Sequence, residues 1–191
     1  MLYKPPIMPI NIAEEVQERL QFPALEKVDP NTQPNEEGRV ALDCTVTQAA
    51  VVTALAGLYK ITRTTEGCVH LLLSGKSTGW LEEVYGDNLD KTLRHVAEYT
   101  RSETADVESL VRLSADTAIL ILHEQLADNI NVESFKSFMS GQRDHILVYM
   151  PAGLRLGEML HDPMLDDNTN KMEGPVSSLM HKIENIFSED E

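Results

Sequence analysis

The sequence predicts an all-α fold, a multihelical orthogonal array of short helices around one long central helix, with two weakly related halves. Three observations lead there. Apolar residues recur at helical spacing in segment after segment. Gly, Pro, Asn and Asp interrupt those segments at short intervals. One stretch, Leu58–Arg63, has strand-like composition, but no second alternating run exists to pair with it, so it too reads as helix.

Residues 1–10 carry Pro5, Pro6 and Pro9 and read as an extended arm. Asn11 is placed to cap a short helix with Ile12, Val16 and Leu20 on one face and Glu14 and Glu15 at its positive end. Residues 23–39 hold Pro23, Pro30, Pro34 and Gly38 and read as a linker. A well-buried helix follows from Val46 to Leu58, whose small residues let another backbone come close. Next come an apolar run through Leu73 stopped by Gly75, and Trp80–Tyr85 stopped by Gly86. A helix capped by Asp87 turns Leu89, Leu93, Val96 and Ala97 inward. Ser102 or Thr104 caps the longest helix, about 104–128, with Val107, Leu110, Val111, Ser114, Ala118, Ile121, Leu122 and Leu126 inward. Asn131 starts a short helix stopped by Gly141. Ile146–Met150 is stopped by Pro151, and Leu154–Leu160 makes a last short turn.

Three regions result: a Pro-rich N-terminal arm with one short helix (1–40), a helical domain (41–161), and an acidic loop with a C-terminal amphipathic helix (162–191). In the last, Pro175 suits a first helical position. Val176, Leu179, Ile183 and Ile186 form one apolar stripe.

The chain has 191 residues, with 31 Asp+Glu against 16 Lys+Arg and a net charge of -15. Binding duplex nucleic acid or an anionic membrane relies on cationic side chains, so this balance weighs against both. Cys44 and Cys68 make no disulfide framework and read as buried packing residues. The N-terminus lacks the basic-then-apolar pattern of a signal peptide, and no apolar run approaches a membrane span. The expectation is a cytoplasmic protein.

Two segments echo each other. LLLSGKSTGWLEEVYG (71–86) aligns with SFMSGQRDHILVYMPA (137–152), and the same offset of about 66 residues carries the 46–58 helix onto the second half of the long one. In the same region FKSFMSGQRDHILVYMPAGL (135–154) is similar to the recurrent "LSGQK…ILSALPAGL" segment of YidB-like bacterial proteins. LEEVYGDNLDKTLRHVAEYT (81–100) resembles their "LFGDKLSSIV" helix. The resemblance covers about 43–160 and is most specific over 138–154. That family is a domain of unknown function. The resemblance implies a multihelical all-α fold and no catalytic residues. The chain departs from the family's Gly, Ala and Ser richness at Glu82, Glu83, Arg94, His95, Glu98 and Tyr99.

Several motifs fall short of the chemistry they imitate. SGKST (74–78) has His70 where a phosphate loop needs its first Gly, so it reads as a turn. His123-Glu124 opens like a zinc-protease helix, but Ala127 stands at the second His. His145, His161 and His181 likewise show no ligand spacing. Asp166, Asn168 and Asn170 imitate a calcium loop, but Lys171 and Ser177 occupy its Gly and bidentate Glu positions. No Ser sits in a nucleophile elbow. No catalytic residue, cofactor or metal ligand is assigned.

The leading expectation is a non-catalytic interaction or scaffold module with a protein partner or self-association. Its partner-binding residues are Met172, Val176, Leu179, Met180, Ile183 and Ile186 in the tail, because Met and an amphipathic stripe suit a partner's groove. The alternative is a small-ligand- or metal-binding protein or enzyme with a pocket between helices, drawn from His70, Trp80, His95, Tyr99 and His123.

Overall fold

The computed structural model describes residues 10–28, 44–74 and 79–165. It is all-helical, with nine α-helices and no strand among the described residues. They are α1 (Ile12–Arg19), α2 (Val46–Ile61), α3 (Thr65–Ser74), α4 (Trp80–Tyr85), α5 (Leu89–Thr100), α6 (Thr104–Gln125), α7 (Val132–Ser140), α8 (Arg143–Leu147) and α9 (Leu156–Met159).

The helix buried on nearly all sides is α2. Every residue from Gln48 to Tyr59 is buried, as expected of a helix that is apolar all round. The longer α6 lies alongside it, and α1, α4, α5, α7 and α8 also pack on α2. Small side chains let this happen. A Cβ on Gly57 would stand 2.9 Å from the Tyr85 ring and 3.3 Å from Trp80. The composition that reads as strand at Leu58–Arg63 continues α2 to Ile61, because both faces are buried in helix partners.

Asn11 caps α1 through its side chain, accepting from the Ala13 and Glu14 amides, and Asn131 caps α7 in the same way. Two expected caps differ. Gly86–Asn88 forms a 3-10 turn, so Asn88 and not Asp87 precedes α5. Glu103 precedes α6 with extended backbone and no side-chain cap, displacing Ser102 and Thr104 from that role.

The short N-terminal helix is part of the main core, with Ile12, Ala13 and Val16 fully buried. Past His161, Asp162 and Leu165 are buried as well. Asp162 accepts from Arg63 and from the Met164 amide, which ties the segment after α9 to the α2–α3 corner. The internal echo also has a packing counterpart. The offset of 66 carries α3 onto α7 and α2 onto the second half of α6, and in space α2 packs on α6 and α3 on α7. These two pairs of elements therefore pack on their counterparts. The echo fails at α4, whose counterpart α8 already ends at Leu147.

Candidate functional site

The most elaborate polar arrangement holds main chain, not a ligand. After α1, Gln21 adopts a positive φ of 54° and turns the chain back over the body. Gln17 fixes that reversal by donating its side-chain amide to the Phe22 carbonyl at 2.5 Å. Residues 22–28 then run without regular secondary structure, and no residue in the segment is fully buried.

Gln48, on the first turns of α2, meets this strap. It is 2% exposed. Its Oε1 accepts the Glu26 amide at 2.8 Å, and its Nε2 donates to the Glu26 carbonyl at 2.9 Å and to the Tyr149 carbonyl at 3.0 Å. Both amide hydrogens and the oxygen are therefore used, and both main-chain groups of Glu26 are held. Two residues on, the Val28 amide donates to the Val148 carbonyl at 2.9 Å. The strap lies on a seat built from α2 and the chain just after α8.

A second buried glutamine acts the same way. Gln142 Oε1 accepts the Ile12 amide, and its Nε2 donates to the Ile10 carbonyl. The Tyr149 hydroxyl donates to the Glu14 carboxylate. Burial first, then that contact, pushes the Tyr149 hydroxyl up to about 12. Cys44 lies beside the same region. Burial, with Glu26 adding in the same direction, pushes its thiol up to about 12, which leaves it inert.

The residues expected to share a pocket do not converge. His70 Nδ1 meets Glu83 at 2.5 Å. His123 Nε2 lies 3.4 Å from the Leu71 carbonyl, and its ring stands edge-on to Phe135. His95 is elsewhere, with Nε2 at 2.9 Å from the Gly153 carbonyl, and the Tyr99 ring packs where a Cβ on Gly153 would fall. Trp80 is fully buried, and its indole N–H has no partner. Among the described residues no group of three His, Cys, Asp or Glu is placed to hold a metal.

A cleft of about 470 Å³ opens where α2, α4 and α9 end, lined by Lys60, Arg63, Thr64, Glu83, His161 and Asp162 among others. Its cations already have partners. Lys60 Nζ donates to the Leu160 carbonyl at 2.5 Å and lies 3.5 Å from that of Val84, and Arg63 pairs with Asp162. The cations here neutralise helix C-terminal carbonyls and a buried acid.

Val69 and Leu73 stand one turn apart on the outer face of α3, and Leu73 is 83% exposed. The expected partner-binding residues Met172, Val176, Leu179, Met180, Ile183 and Ile186 lie outside the described residues. No helix among the described residues is long and apolar enough to cross a membrane.

Gln48 and Gln142 carry this site and were not singled out by sequence motif. The signal for Gln48 was a polar amide inside a helix otherwise apolar all round, since a buried amide requires partners. No family model, curated protein or solved structure matches the chain.

Proposed function

We propose that the chain is a non-catalytic protein-interaction module whose helical body holds an extended polypeptide segment. The supporting observation is Gln48, a buried side chain that bonds both main-chain groups of Glu26. Main-chain bonding of this kind gives affinity without requiring a particular residue, the logic by which many modules capture extended peptides. A YidB-like helical plan belongs to the same proposal. Within the segment that resembles that family, Gln142 holds α1, and Gly153 receives His95 and Tyr99.

The tail stripe Val176, Leu179, Ile183 and Ile186 is kept as a second contact for a partner. The acidic charge argues against a nucleic-acid partner, and two unpaired buried thiols suit a reducing, cytoplasmic setting. The alternative, a small ligand or metal between helices, draws on the cleft at Lys60 and Arg63. Its cations are bound by protein groups, so the segment-holding reading is preferred.

The test uses the full chain with Phe22→Ser and Leu25→Ser, which loosen the strap. Immobilised beside the wild type, it is probed with an array of unrelated nine-residue peptides. We expect a subset of apolar peptides to be retained by the loosened protein and lost when Gln48→Leu is added. If the folded variant retains no peptide beyond the wild type, the reading falls. A stoichiometric metal or small molecule in native mass spectra would favour the alternative.

A further inference from the structure

We draw no further inference here: the strongest candidate, the cleft of about 470 Å³ where α2, α4 and α9 end, has its Lys60 taken up by the Leu160 and Val84 carbonyls and its Arg63 by Asp162, and nothing in the structure shows what would occupy it.

Discussion

Gln142 Oε1 accepts the Ile12 amide at 3.0 Å while its Nε2 donates to the Ile10 carbonyl at 2.9 Å. One side chain thus closes the open N-terminal end of α1 and ties it to the turn between α7 and α8. Gln142→Leu keeps the approximate volume but leaves both main-chain groups unpaired beside a fully buried Ile12. Each buried group left unpaired costs about 1–3 kcal/mol. We expect a lower urea midpoint and early hydrogen exchange across residues 10–20, with α2 and α6 protected as before. An unchanged midpoint and exchange pattern would remove Gln142 from the anchoring of α1.

Gly57 sits where α2 and α4 come closest. Alanine at an ordinary helix interior position gains about 1 kcal/mol over glycine. Here the added Cβ would stand 2.9 Å from Tyr85 Cε2. Tyr85 has no freedom to yield, because its hydroxyl donates to the Thr53 carbonyl at 2.7 Å from a fully enclosed position. Overpacking costs about 1–3 kcal/mol and outweighs the propensity gain. Gly57→Ala should therefore lower the melting temperature. A rise would mean that α4 moves away at little cost.

The helical plan was legible because it rests on local signals. Asn11 and Asn131 act as caps, and the apolar spacing of α5 and α6 places Leu93, Val96, Val107 and Val111 inward, all of them buried. The starts of α5 and α6, after Asn88 and Glu103, were less legible, since the residue that precedes a helix depends on backbone geometry at one position. The strap site was hidden for a different reason. Gln48 and Glu26 are 22 residues apart, and Gln142 and Ile12 are 130 apart. Their meeting depends on how α1 and the chain after α8 flank α2, which no local spacing encodes. The histidines show the converse. His70, His95 and His123 have chemistry that catches the eye in sequence, yet each is oriented by a different neighbour, Glu83, Gly153 and Leu71.

Cys44 reports on the strap without a bound ligand. Its thiol is buried and pushed up to about 12, with Glu26 contributing. Cys68 is buried too, and burial also raises its thiol. At pH 8 the wild type should react slowly with an aromatic disulfide reagent at both positions, because the thiolate is the nucleophile. Gln48→Leu, or Phe22→Ser with Leu25→Ser, should speed labelling of Cys44 several-fold more than that of Cys68. Peptide mapping after timed quenching separates the two. Equal acceleration at both sites would indicate loosening of the whole body and would count against a strap held locally by Gln48.

Tyr149 joins the strap seat to α1 through its hydroxyl bond to Glu14 and its carbonyl bond from Gln48. Its hydroxyl is raised to about 12, by burial first and the Glu14 contact second. The unfolded chain loses the same proton near 10. A group with a raised folded value contributes stability that is complete below the unfolded value and is lost as pH rises towards the folded one. The contribution of Tyr149 is therefore intact at pH 8 and fades between about 10 and about 12. Tyr85 is raised in the same direction by burial, so the wild type should lose stability steeply in that window for two reasons. Tyr149→Phe should reduce the slope of urea midpoint against pH above 10 without abolishing it, because Tyr85 remains. It should also expose residues 10–20 to exchange at pH 8 through loss of the Glu14 bond. A slope identical to wild type would show that the Tyr149 hydroxyl stays protonated only as readily as in the unfolded chain, and the tie between the strap seat and α1 would then rest on Gln142 alone.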